Sequence, residues 1–339
     1  MSFGRAKLAV AAALATVLVP MGARAGNLWH TGPTLVDKPT AYVEALAAAD
    51  RYAIAAAERS RINNTLQAWR YARLAVAAYD KAIRANPKSP EPHLRAAVVI
   101  YSHWFLGDPL RCLSKKQLCL EAIDHWHAFE KLAPLDPRIN EYLFQRALLY
   151  TTLYKPRYLK KAIADYTRLI NSTQFASMGR DRSTTMGNLA EVYMMLGDLD
   201  KAIPMYMRAV AEGNMPLHAY GLAVALDRDG RGEKAREIMR KFGSGDVDRR
   251  TGLLRSLDPQ KGVFFVPKGE INYYHALGFD ALGQPAMAIV YYQRFLRSGA
   301  HPRFAPRARE NIKRLRKKVM QQLKKTRPPG ILTPVVPSN

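Results

Sequence analysis

Cysteine is nearly absent from this sequence: two in 339 residues. That is too few for a disulfide-stapled scaffold or a four-cysteine zinc module. Past the N-terminal segment no apolar run approaches the roughly 20 residues a bilayer-spanning helix needs. Acids are scarce, with 28 Asp and Glu against 52 Lys and Arg, a net charge of +24. The excess favours anionic partners without specifying a fold. The sequence motifs of common catalysis are missing too: no G-x-S-x-G, no H-E-x-x-H and no G-x-x-x-x-G-K. Eight histidines are scattered with no partner at a repeated spacing. These absences argue against an enzyme and imply no cofactor. What is present is a foldable chain, 48% hydrophobic and 24% charged, rather than a disordered polymer.

Arg5 and Lys7 precede an uncharged apolar run over residues 8–19, which Pro20 and Gly22 break before Ala23-Arg24-Ala25. Small residues at positions 23 and 25 fit a signal-peptidase site, so a signal peptide over residues 1–25 is expected. No cysteine near the cut offers a lipid attachment point. The mature chain would begin at Gly26 and be exported, to the periplasm in a Gram-negative cell and otherwise to the medium.

The chain also repeats itself. Ala190, Tyr193, Gly197, Ala202 and Tyr206 return at the same offsets as Ala223, Leu226, Gly230, Ala235 and Met239. They return again as Ala276, Phe279, Gly283, Ala288 and Tyr292. Each copy reads as two amphipathic helices and a tight turn. The alanines let paired helices approach, and the glycines end the first helix in a left-handed conformation that strains other residues. This pattern resembles the tetratricopeptide repeat (TPR) family, whose unit is a 34-residue helix-turn-helix. The resemblance implies an all-α, right-handed α-solenoid. The best copies are 183–216, 217–244 and 270–302. Weaker ones lie around Ala75 and Tyr79, around Ala122 and Trp126, and around Ala162 and Tyr166. Equivalent second-helix alanines (Ala75, Ala122, Ala162, Ala202, Ala235, Ala288) are spaced 47, 40, 40, 33 and 53 residues apart. Inserts therefore interrupt the array. The expected layout is an N-terminal segment with a capping helix over 26–61, repeats over 62–302 with an insert at 245–268, a basic capping helix over 303–327, and a disordered proline-rich tail over 328–339.

The resemblance further implies a protein–protein scaffold whose concave face comes from the first helix of each repeat. Carried onto this chain, that face is Asn188, Glu191, Met195, Tyr220, Val224, Asp227, Tyr273, Leu277 and Asp280. It suits a partner's extended or helical segment offering apolar side chains and an occasional Lys or Arg. The Lys/Asn clamp by which some TPR proteins hold a terminal carboxylate is missing from these positions. Val263-Phe264-Phe265-Val266 in the insert is either a lid on this face or a satellite between repeats.

Residues 301–328 hold eleven Lys and Arg and one acid. The stripe Ala308, Ile312, Leu315, Val319 and Leu323 should close the last repeat and leave the cations in water. Arg303, Arg307, Arg309, Lys313, Arg314, Lys317 and Lys318 are then candidate contacts for anionic lipid, polysaccharide or acidic protein. No aromatic interleaving supports nucleic acid. In an oxidising compartment Cys112 and Cys119 should pair. Seven helical residues rise about 10.5 Å, beyond the ~7 Å that a disulfide bridges, so residues 113–118 must fold back. The alternative, a metal site with His103, His125 or His127, has unsuitable spacing. Asp198/Asp200 and Asp227/Asp229 read as solvated helix caps.

Overall fold

A computed structural model describes residues 40–172, 182–213, 215–243, 257 and 265–326. The expected signal segment, the proline-rich tail and most of the expected insert lie outside the described residues. The chain divides into two compact units, one ending at Leu153 and the other beginning at Tyr154. The described residues are helical throughout apart from turns, the all-α helical-repeat class.

In the first unit, α1 (Thr40–Arg61) and α2 (Thr65–Ala85) form a long antiparallel hairpin. Ala49, Ala53 and Ala56 of α1 and Ala68, Ala72, Ala75 and Ala82 of α2 are buried; alanine-lined contact lets the backbones come close. The helix expected as a cap is thus the first helix of a hairpin. Tyr79 Oη donates to Asp50 Oδ1 across it at 2.8 Å. Next come α3 (Glu91–Ile100), running into a π-helical turn at Tyr101–Phe105, then the short α4 (Arg111–Ser114), α5 (Lys116–Leu132) and α6 (Ile139–Leu153). α3 packs on α5, and Trp126 of α5 stacks on Tyr142 of α6 at 5.4 Å between centroids. Between α4 and α5 the helix breaks at Lys115 (φ −115°, ψ 43°). The break brings Cys112 and Cys119 to a Cα–Cα distance of 5.3 Å as a disulfide. His103 meets the Val99 carbonyl at 3.0 Å, His125 meets His93 at 3.0 Å and His127 meets Tyr150. Among the described residues no three His, Cys, Asp or Glu side chains are grouped as a metal site requires.

The second unit contains α7 (Pro156–Ile170), α8 (Arg182–Leu196), α9 (Leu199–Gly213), α10 (Pro216–Arg228), α11 (Gly232–Gly243), α12 (Ile271–Ala281), α13 (Pro285–Ser298) and α14 (Ala305–Thr326). Proline opens α7, α10 and α13, where its fixed φ suits a helix start and its missing N–H is not needed. α8–α9, α10–α11 and α12–α13 are hairpins. Their turn glycines, Gly197, Gly230 and Gly283, have φ of +76°, +89° and +71°, the left-handed conformation that the repeat pattern requires. Ala190, Ala202, Ala223, Ala235, Ala276 and Ala288 are all fully buried. Leu257 and Val266 are buried, and Phe265 meets Tyr274 edge-on at 4.9 Å. Leu257, Phe265 and Val266 of the insert therefore pack into the core. α14 packs on α13, closing the last hairpin with Ala308, Ile312 and Leu315. Val319 is only half-buried and Leu323 is exposed, so the apolar stripe is used over its first half.

Candidate functional site

The sequence-derived concave face is not an open surface. Tyr220, Val224, Asp227, Tyr273, Leu277 and Asp280 are buried, while Asn188, Glu191 and Met195 are half-buried. The reason lies in where the side chains turn. Tyr220 reaches back into its own hairpin, its hydroxyl donating to the Phe242 carbonyl at 3.3 Å. Tyr273 packs edge-on against Tyr292 and Phe295 of α13. None of the six is exposed in this arrangement.

The chain's own C-terminal segment provides the counter-charges. The carboxylate of Asp227, on the last turn of α10, is fully enclosed. It accepts from Tyr273 Oη at 2.7 Å, Asn311 Nδ2 at 2.7 Å and Arg307 Nη2 at 3.0 Å. Asp280, on the last turn of α12, accepts from Arg314 through both terminal nitrogens and from Arg236 Nη1 at 3.4 Å. Lys318 Nζ lies 3.7 Å from it. Upstream, Arg303 Nη1 donates at 3.3 Å to the carbonyl of Leu196, the last residue of α8. Residues 303–318 thus pass the C-terminal ends of α8, α10 and α12. Those ends carry partial negative charge from unpaired carbonyls, which cations satisfy.

This arrangement corrects two expectations. Asp227 is no solvated cap, although Asp200 and Asp229 are exposed as caps should be. Nor do all the cations of the terminal helix stand in water: Arg307 and Arg314 are bound to buried carboxylates. Arg309, Lys313, Lys317 and Lys318 do face solvent, with Arg316 and Lys324 beside them, and Arg303 is exposed despite its carbonyl contact.

Beneath the start of α14 lies a second, wholly enclosed set. Arg228 and Glu270 form an ion pair with both side chains at zero exposure. His301 Nδ1 sits 2.8 Å from Glu270 Oε2. The Arg228 guanidinium lies over Phe304 at 4.2 Å and Tyr273 at 4.5 Å. Burial pushes the Glu270 carboxyl up, but Arg228 and His301 outweigh it and hold the group below its ordinary value. Glu191 goes the other way: burial and then Glu270 raise it, against the hydroxyl of Tyr206. Tyr274 Oη also donates to Glu191, at 3.0 Å.

Sequence reasoning missed Arg228, Glu270, His301 and Asn311. Only Asn311 left a trace, a polar residue inside the apolar stripe between Ala308 and Ile312. Beside Arg303 an open groove of about 580 Å³ is lined by Asp198, Asp200, Asp229 and Arg303, carrying both signs of charge. Among the described residues no helix is long and apolar enough to cross a membrane.

In comparison with known families, the model described as tetratricopeptide repeat matches residues 183–211, within the α8–α9 hairpin. A search of curated proteins finds no match.

Proposed function

We propose, from the tetratricopeptide repeat matched at residues 183–211, that the chain is a non-enzymatic adaptor in an exported compartment. TPR modules serve generally as protein-interaction surfaces, which supports a scaffold role. The Arg5/Lys7 apolar segment ending at Ala25 supports export. So does the Cys112–Cys119 bridge, because disulfides persist in oxidising compartments.

The observation that carries the choice of surface is the division of cations on α14. Arg307 and Arg314 turn inward to Asp227 and Asp280. Arg309, Lys313, Arg316 and Lys317 turn outward, and among the described residues none of them pairs with a carboxylate. They form one stripe beside the exposed Met320. An acidic protein surface with an apolar patch is the complement of that stripe.

The test uses the mature chain from Gly26, with capture from an envelope extract in low and high salt. A variant with Arg309, Lys313, Arg316 and Lys317 changed to Glu should keep its helical circular dichroism and lose the proteins that the parent retains. Capture should weaken as salt rises, because exposed charges more than about 8–10 Å apart are screened at physiological ionic strength. The same proteins on both baits would overturn this assignment. Vesicles of anionic and neutral lipid form a parallel arm: binding to anionic vesicles without protein capture would make the stripe a surface anchor for lipid.

A further inference from the structure

We propose that His93 and His125, with the carboxylates of Asp80 and Glu121 beside them, form a site for a divalent transition-metal ion, Cu²⁺ most tightly and Zn²⁺ next. The site lies in the first unit, to which the adaptor reading assigns no contact, and the inference stands independently of that reading.

The packing of α3 on α5 brings the pair together. His93 stands in the first turn of α3 and His125 in the middle of α5. Their Nδ1 atoms are 3.0 Å apart, with ring centroids at 5.3 Å. Two nitrogens on one tetragonal or tetrahedral ion, with bonds of about 2.0–2.1 Å, stand roughly 2.8–3.4 Å apart. The observed separation falls inside that range. In the neutral pair one proton is shared across the gap. An ion takes its place once each ring turns its lone pair inward, and the donor ring then carries its proton on Nε2, so both imidazoles stay neutral. His127, two residues on, turns to Tyr150 instead. The two cysteines, which would compete for such an ion, are closed in their own bridge.

As the side chains stand the pair supplies two ligands, and the remaining positions fall to water and to the neighbouring acids. Glu121 is one turn before His125 on the same face of α5. Asp80, on α2, acts electrostatically on both His93 and Glu121. All four residues are half-buried, which leaves an entering ion a path. The cluster is short of positive charge. Burial and then Asp80 raise the Glu121 carboxyl, and burial raises that of Asp80, with Arg84 and His93 offsetting it only in part. Burial also lowers both imidazoles, His125 to about 4, so near neutral pH they are uncharged ligands rather than cations. A divalent ion meets both conditions, since it needs neutral imidazole and favours ionised carboxylate. Mixed imidazole and carboxylate donors suit Cu²⁺ and Zn²⁺, and the general affinity order puts Cu²⁺ first. Two nitrogen ligands argue against Ca²⁺ and Mg²⁺, which take oxygen.

The test titrates Cu²⁺ and Zn²⁺ separately into the untagged, metal-stripped mature chain from Gly26 by calorimetry, with pulsed electron spin resonance of the Cu²⁺ form. The resonance should show two imidazoles coupled to one ion. The ion should also raise the thermal midpoint, because it bridges α3 and α5 in the folded chain alone. His93→Gln and His125→Gln should each weaken binding by more than about tenfold, and Asp80→Asn with Glu121→Gln by about tenfold. His275→Gln, in the second unit, should leave the affinity unchanged. Affinity that survives both single His changes overturns the proposal, and affinity indifferent to the carboxylate pair removes Asp80 and Glu121 from the site. Should the His variants unfold, the parent decides through its spectrum: one imidazole or none on the ion overturns the site. None of these outcomes alters capture by the outward stripe of α14, so the two readings fail separately.

Discussion

Asp227 shows what a single residue carries here. It has three donors from two elements, the Tyr273 hydroxyl of α12 and the Asn311 amide and Arg307 guanidinium of α14. Replacing it with Asn keeps the shape, removes the charge opposite Arg307, and turns one acceptor oxygen into a donor facing donors. Such a change should cost about 2–4 kcal/mol, read as a lower urea midpoint with helical content unchanged in buffer. A loss under about 0.5 kcal/mol would mean that water reaches the pair. The turn glycines were legible in the sequence because their requirement is local: Gly197 needs φ of +76° whatever lies nearby. A side chain there would also strike Arg303, whose Nη1 stands 2.4 Å from the position of a Cβ. Asp227 was not legible, since its donors are 46, 80 and 84 residues away. A one-dimensional pattern distinguishes a helix-end acid from a buried one only through its partners.

At the scale of elements, the α8–α13 hairpins followed directly from periodicity, because small residues at helix crossings and glycine at turns recur in the three best copies. Two elements departed from expectation for packing reasons. α1 pairs with α2 along the buried alanine faces of both helices, so the helix expected at the N-terminal end of the array is one arm of a hairpin. α14 splits its cations between interior and solvent, a division that composition conceals. The α4–α5 break was readable in outline, since the disulfide demanded a fold-back between residues 112 and 119. Closing that short loop should contribute about 2.5 kcal/mol in the chain-entropy model. Cys112→Ser with Cys119→Ser should therefore lower the thermal midpoint of the first unit. Limited proteolysis between residues 106 and 116 would register the same loosening. An unchanged midpoint in the double variant would show that packing alone holds α4.

Across the whole molecule, acid sensitivity should exceed what carboxylates produce. Burial pulls His125, with His93 beside it, and His275, with Arg294 beside it, from 6.5 to about 4. As pH falls through 6.5 the unfolded chain takes up these protons while the folded chain refuses them until about 4. Stability is therefore present above pH 6.5 and drains between 6.5 and 4. Urea midpoints at pH 7 and pH 4.5 should differ, and His125→Gln with His275→Gln should shrink the difference; an equal drop in the double variant would exclude these imidazoles as the cause. The long reach of residues 303–318 has a consequence in time as well. Repeat arrays can complete themselves unit by unit as the chain emerges. Here a nascent chain made as far as Ser298 already contains the α8–α13 hairpins, yet Asp227 lacks Arg307 and Asn311, and Asp280 lacks Arg314. The second unit must wait, part-assembled, until the basic segment is delivered. A product cut short before residue 303 keeps only Tyr273 on Asp227 and Arg236 on Asp280, a chemical mark by which an incomplete copy differs from a finished one.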